Sequence, residues 1–407
     1  MNTHTQYSNL DKAPNILVIT PHLRFSFGDF AMSLSNFVAV SYVIPYNPLF
    51  EVVKYAPGLK IFDTIRAYYV KEKLCPTDVF QRLKVHFVPV FFFKRYSTDK
   101  SLGDKMANSI RNFIKKTGLK FDLIHAHFTW PSGYVAAKLS KEFSAPLVIT
   151  AHGYDVYDLP FRSEEWFRKV KFALESADHI ITVSKSNFML LVTKIGIPEH
   201  KISVIPNGFD PHKFGPINKA AVRKQLNLPQ NKKIILNVAS LVSEKGQSYL
   251  IEAMKEVVRS RKDLLCIIVG DGPLRKDLEN QIKNLNLEDY VKLVGAKPHD
   301  EIPLWMNAAD LFVLPSLRES FGVVQIEAMA CGVPVVATRN GGSEEIITSE
   351  DYGLLCEPGN PDDLAKKILI ALEKEWDRER IRKYAEQFSW DVIARKILQI
   401  YEFLLTK

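Results

Sequence analysis

Cysteine is scarce in this 407-residue chain: Cys75, Cys266, Cys331 and Cys356 are all there is, and no two stand as a C-x-x-C pair. That scatter argues against a disulfide framework and a thiolate zinc site, and fits a reducing, cytoplasmic setting. Long apolar runs are missing too. None approaches the ~20 residues that cross a bilayer, and the opening MNTHTQYSNLDKAPN lacks the apolar core of a secretory signal. Neither glycine (19) nor proline (22) is in excess, and 46% hydrophobic against 25% charged residues excludes a disordered, collagenous or rod-like chain. What is left is a globular protein of two or three domains, each large enough to bury a core unaided.

Acidic residues are in deficit in only one half. The formal net charge is +8, residues 1–210 hold 26 Lys/Arg against 18 Asp/Glu, and residues 211–407 hold 28 of each. Residues 51–120 alone carry 15 basic and 6 acidic side chains, interleaved with Tyr68, Tyr69, Phe80, Phe87 and the run from Phe91 to Tyr96. A local field of that sign attracts an anionic membrane surface or a polyanionic acceptor. A solvated rim over buried aromatics accounts for the same composition. No nucleic-acid-binding motif accompanies the charge, so nucleic acid is not expected as a partner.

Short β-branched runs alternate with helix-period segments, the pattern of an α/β chain with parallel sheets. Strands are expected at Ile16–Thr20, Leu123–His127, Leu147–His152, Ile180–Ser184 and Ile202–Pro206, and again at Ile234–Ala239, Leu265–Gly270, Val291–Gly295, Leu311–Pro315 and Pro334–Thr338. Helices are expected at Gly246–Val258, Leu274–Leu285 and Phe321–Ala330. Asn207-Gly208-Phe209-Asp210-Pro211 is a turn signature that separates the two series. The expected organisation is therefore two doubly wound domains, 1–210 and 211–387, with 388–407 a C-terminal helix packing back on the first. A ligand would belong between them, at the carboxyl ends of the strands.

The densest chemical signal runs from Pro315 to Thr338. Ser320 is the expected N-cap of a helix over Phe321–Ala330, and a helix mouth binds phosphate through its orphan amides and positive dipole end. Glu319 stands beside that mouth and Glu327 two turns along. Eight residues of helix rise about 12 Å, comparable with a sugar-diphosphate-ribose unit, and an ionised carboxylate accepts two sugar hydroxyls at once. A lone E-x7-E is also compatible with a dipole-complementing and a solvated glutamate. Lys245, in a loop after a strand, is placed to neutralise a diphosphate. Gly270-Asp271-Gly272-Pro273 is a tight turn that would admit close backbone approach to a ligand, though it is not G-x-G-x-x-G. His152, directly after a strand, is a candidate for contacting substrate, with packing as the alternative. His125 and His127 share a strand face without an identifiable third metal ligand, and read as structural or acceptor-side.

Together these residues resemble the retaining GT-B glycosyltransferases of the family 4 type. His152-Gly153, the hinge Pro206-Asn207-Gly208, Glu244-Lys245-Gly246, Gly270-Asp271-Gly272-Pro273 and Glu319-x7-Glu327-Ala-Met-Ala carry the likeness. The resemblance implies two Rossmann-like domains facing a central cleft, a nucleotide-sugar donor held mainly by the second domain, a carbohydrate or lipid-linked acceptor on the first, and no required metal or other cofactor. By position, Glu319 would hold donor sugar hydroxyls, aided by the amides around Ser320, Phe321, Gly322 and Val323, and Glu327 the ribose. Lys245 would neutralise the diphosphate, Gly270 and Gly272 would line the donor, Gly295 and Ala296 would border the base, and His152 would contact the sugar. Gly28 would belong to a loop closing over the reacting centre, with Asp155 also on the acceptor side. Many relatives carry an arginine where this chain has Ser240, and Arg318 is the candidate replacement. A nucleotide-sugar epimerase or hydrolase on the same fold is the alternative enzyme, separable by acceptor-free turnover; a non-catalytic adaptor at the membrane surface is the other. The expected location is cytoplasmic, peripheral at the inner membrane face.

Overall fold

The computed structural model describes residues 13–23, 26–53, 71–92 and 98–406. Tyr68, Tyr69 and the part of the basic aromatic run from Phe93 to Tyr96 lie outside them. The chain forms two compact units, one of residues Met1–Pro206 with Trp390–Lys407, the other Asn207–Ser389.

The first unit is built on a seven-stranded, wholly parallel sheet: β1 (Asn15–Ile19), β2 (Ala39–Tyr46), β3 (Lys84–Pro89), β4 (Leu123–His127), β5 (Leu147–Ala151), β6 (His179–Thr182) and β7 (Ile202–Val204), in the order β3-β2-β1-β4-β5-β6-β7. Its central strands are apolar on both faces because both are covered. Leu17, Ile19, Val43, Ile124, Ala126 and Ile149 point to one side, against helices Leu102–Thr117, Tyr134–Phe143 and Glu164–Ser176. Ile16, Val18, Tyr42, Ile44 and Val148 point to the other, against helix Ser26–Ser35 and the C-terminal helix Trp390–Leu405. That last helix buries Trp390, Ile393, Ile397, Tyr401 and Leu404, and Ser33 Oγ donates to Asp391 Oδ1 at 2.6 Å where it begins.

The second unit repeats the plan with six parallel strands: β8 (Lys233–Val238), β9 (Leu264–Val269), β10 (Val291–Leu293), β11 (Leu311–Leu314), β12 (Val335–Thr338) and β13 (Gly353–Cys356), ordered β10-β9-β8-β11-β12-β13. In both sheets the winding reverses beside the first strand, between β1 and β4 and between β8 and β11. At such a reversal the loops leaving the two strands diverge to opposite faces and open a crevice above their carboxyl ends, where doubly wound sheets bind ligands.

Three strands, β2, β3 and β13, escape the sequence reading. In β2 and β3, Ser41, Pro45, Lys84 and His86 break the apolar run, and β13 has only four residues. The helix expected at Phe321 starts at Val323, and its N-cap is Gly322, with no side-chain cap. Gly28 stands inside helix Ser26–Ser35 rather than in a loop, where a Cβ would come within 3.0 Å of the Leu23 carbonyl oxygen and 3.2 Å of a Val79 methyl. No helix among the described residues is long and apolar enough to cross a membrane.

Candidate functional site

In the second unit, the loops leaving β8 and β11 are stapled at the reversal point. The Leu317 amide donates to the Glu244 carbonyl at 2.8 Å. Gly246 has φ of +66°, and a Cβ there would lie 2.0 Å from the Pro315 carbonyl oxygen; only glycine satisfies both the left-handed backbone and the contact. This closeness sets Lys245 against Glu319, with Nζ 2.6 Å from Oε1. Ser316 Oγ donates to the same oxygen at 2.8 Å, and the Glu319 amide donates to the Asn340 carbonyl at 3.1 Å. Asn340 in turn accepts from the amides of Gly342 and Ser343 at 3.1 and 2.9 Å, so the turn after β12 braces the carboxylate's backbone. A largely buried carboxylate, an ammonium and a helix mouth therefore meet in one place.

Helix Val323–Ala330 opens just beyond. Its first amides have no acceptor one turn back within the helix. Ser320 is half-buried and does not cap it; the Gln325 side chain instead donates to the Phe321 and Gly322 carbonyls at 3.4 Å. Phe321 is 2% exposed and packs on Phe388, so its side chain belongs to the core. Arg318 is exposed in the same loop as Glu319.

Glu327 is not the solvated glutamate that helical spacing alone would allow. It is 4% exposed, and its Oε1 lies 3.3 Å from His299 Nε2. His299 follows β10, and its ring stands edge-on to Phe214 at 5.5 Å between centroids. Nothing in the spacing of the sequence singles out His299; its position after a strand of the second sheet is the one signal available.

The glycines after β9 meet a packing requirement within the unit itself. A Cβ at Gly270, where φ is +150°, would lie 1.9 Å from the Ala239 carbonyl oxygen, and one at Gly272 would lie 2.5 Å from that of Leu241. They let the β9 loop lie against the β8 loop, and the Gly270 amide donates onward to the Gly295 carbonyl at 3.0 Å. Ala296, beside it, is exposed.

In the first unit a column of imidazoles rises through the reversal point. His125 Nδ1 meets the Tyr401 hydroxyl at 2.5 Å and its Nε2 the Thr150 hydroxyl at 2.7 Å. The His127 ring lies 4.5 Å from that of His125, and its Nδ1 is 3.1 Å from His152 Nε2. Burial drives the His127 pKa down to about 3, and holds His125 and His152 well below the usual histidine range, with His127 adding to the effect on both. All three are neutral at physiological pH. Phe27 and Phe128 pack on the His152 ring at 4.8 and 4.6 Å. Phe128 has φ of +72°, a strained state for an aromatic residue of the kind that gathers at functional sites.

Asp155, expected on the acceptor side, turns its carboxylate to backbone amides. It is 2% exposed, and its carboxylate accepts from the amides of Thr129, His152 and Gly153 at 2.7, 3.0 and 2.9 Å. Its work is to fold the β4 and β5 loops together and so hold the His152 backbone. Among the described residues no group of three His, Cys, Asp or Glu side chains is arranged to hold a metal ion.

Two such parallel sheets, each with its loops gathered at a reversal of winding, are the GT-B fold of glycosyltransferases. Sucrose-phosphate synthase from Thermosynechococcus elongatus superposes with a TM-score of 0.74 at 24% identity, covering 97% of this chain and 99% of that one. HepE from Anabaena, in complex with UDP, gives 0.72 at 23% identity, covering 95% and 99%. Residues 218–388 match the family described as glycosyl transferases group 1, and residues 70–213 match glycosyltransferase family 4. The glycosyltransferase MJ1178 of Methanocaldococcus jannaschii is 33% identical over 300 residues, 72% of this chain and 78% of its own length. Mannosylfructose-phosphate synthase of Agrobacterium fabrum is 27% identical over 365 residues, 80% and 78% of the two chains. The chain belongs to the group 1 glycosyltransferases.

Proposed function

We propose that this glycosyltransferase moves a sugar from a nucleoside diphosphate to a hydroxyl acceptor with retention at the anomeric carbon, in the synthesis of a polysaccharide, glycolipid or other cell-envelope glycoconjugate. The observation that carries this reading is the Lys245–Glu319 pair, 2.6 Å apart beside the mouth of helix Val323–Ala330. An ammonium and a ring of orphan amides suit a diphosphate, and a carboxylate braced on one oxygen suits sugar hydroxyls. Donor binding exchanges the ion pair: the diphosphate takes Lys245, and Glu319 turns its acceptors to the sugar. Glu327 receives the ribose, Gly270, Gly272, Gly295 and Ala296 line the nucleoside, and Arg318 supplies the second cation that Ser240 does not. The reading needs no metal ion.

In the transfer step the bond from anomeric carbon to diphosphate breaks on the face where the acceptor enters. The acceptor proton passes to the departing phosphate oxygen. Lys245 and the amides of Phe321 to Val323 stabilise the charge that develops there, usually the leading contribution to such catalysis. His152, kept neutral by burial, orients a sugar hydroxyl. That HepE is described with UDP and with UDP-glucose supports the donor class. The likeness to TuaC of Bacillus subtilis, named for teichuronic acid biosynthesis and 34% identical over 266 residues, supports the cell-envelope setting. The basic excess of residues 51–120 supports a lipid-linked acceptor at an anionic membrane face. Replacing Lys245 or Glu319 by Ala is expected to lower transfer at least ~100-fold each; near-wild-type turnover in either variant removes its role.

A further inference from the structure

We propose that His299 is a positioning residue for the donor nucleoside, locking the Glu327 carboxylate in the orientation that accepts the two ribose hydroxyls. This rests on the reading of Glu327 as the ribose-binding group.

Glu327 is buried on a rigid helix, yet the hydrogen bond that engages its carboxylate comes from another element. Oε1 lies 3.3 Å from His299 Nε2, in the loop that leaves β10. An ionised carboxylate only accepts, so the shared proton sits on Nε2. A carboxylate offers about four acceptor positions and the imidazole takes one. A vicinal diol needs two of the rest. Without an anchor the carboxylate rotates about its last side-chain bond, a broad torsion with a shallow preference, and the two acceptors aligned with the diol would be met only part of the time. The histidine removes that freedom before the ligand arrives, which is where preorganisation gains affinity.

His299 is itself held. Its ring stands edge-on to Phe214 with an interplanar angle of 64°, and it opens a short turn over His299–Glu301 that leads into helix Ile302–Ala308. Neighbouring Asp300 is turned toward Lys213, 3.6 Å away. The histidine also shares its loop with Gly295 and Ala296, so one segment would both border the base and aim the carboxylate beneath the ribose.

The test measures binding of uridine, guanosine and adenosine diphosphates, each with its 2′,3′-dideoxy counterpart, by calorimetry on the full chain. The wild type is expected to bind at least one parent nucleotide and to prefer it to the dideoxy form by 10-fold or more. If it binds none, or binds both forms equally, the Glu327 reading falls and this inference with it. Given that preference, His299→Ala is expected to weaken the parent nucleotide about 10-fold, the size of one charge-assisted hydrogen bond, and to leave the dideoxy form within about twofold. His299→Gln, which keeps an N–H donor, is expected to recover most of the loss. In turnover, the donor KM is expected to rise with kcat retained. An equal loss for both nucleotides in the Ala variant, or no loss for either, overturns the role of His299 while leaving that of Glu327 standing.

Discussion

Glu319 and Lys245 neutralise each other in the ligand-free protein, and each carries a different consequence of burial. Only 10% of the glutamate side chain and 29% of the lysine is exposed, so separating them leaves a charge in a poorly solvated place unless an anion and hydroxyls replace the lost partners. On the proposed reading, the pair would favour a donor that brings both chemistries together over a bare sugar or a bare phosphate. The histidines of the first unit carry the opposite lesson. His125 and His127 are buried neutral, and burial lowers their folded pKa, that of His127 to about 3, against ~6.5 in the unfolded chain. Below pH 6.5 the unfolded state takes up protons that the native state refuses, so their contribution is complete above pH 6.5 and is lost as pH falls toward the folded values. Each costs up to about 1.4 kcal/mol per pH unit. Urea unfolding between pH 6.5 and 5 is expected to show this slope, and His127→Asn to reduce it by about one proton. An unchanged slope in that variant would mean the ring is charged or solvated in the native state. Lys245, Glu319 and His152 stood out in the sequence by following strands, and Glu327 by its place two turns along a helix; their partners did not. The partners of Asp155 were not readable, because a carboxylate after a strand looks the same whether it faces solvent or three backbone amides.

Among elements, the helix Trp390–Leu405 has the clearest part. Its periodicity was readable at once, with Val392, Ile393, Ile397, Ile400, Tyr401 and Leu404 at helical spacing. That it packs back on the first unit was expected too; which side chains it meets there was not. It closes one face of the first sheet, and its Tyr401 hydroxyl reaches His125 Nδ1 at 2.5 Å, so a residue at the end of the chain completes the base of the imidazole column. Tyr401→Phe is expected to leave that nitrogen buried without its partner and to cost about 1–3 kcal/mol by denaturant unfolding. A loss of less than ~0.5 kcal/mol would mean that the hydrogen bond contributes nothing net. The start of helix Val323–Ala330 marks the limit of local reasoning. Ser320 has the chemistry of an N-cap, but Glu319 is tied to Asn340 and Phe321 is drawn into the core, and those tertiary contacts delay the helix to Gly322.

For the whole molecule, the distribution of charge is the feature no single element explains. The positive excess lies in residues 1–210, and the remainder of the chain is balanced. If the first unit serves an acceptor at an anionic membrane face, the protein is expected to sediment with vesicles containing anionic lipid and to be released as salt rises from 0.05 to 0.5 M, where screening shortens to a few ångströms. Binding that ignores lipid charge and salt would assign the basic residues to solvation alone.

Periodicity and turn chemistry were enough to reveal an α/β chain of two strand-helix series and the segment from Pro315 to Thr338, because alternation, strand length and glycine placement are local properties written into neighbouring residues. Tertiary structure alone decided that β2, β3 and β13 complete the sheets. It alone paired Lys245 with Glu319 across 74 positions, brought His299 to Glu327 across 28, and buried Asp155 under backbone amides. Such partners are selected by which strands lie side by side, and strand order is settled by packing both faces of a sheet at once, which no window along the chain contains.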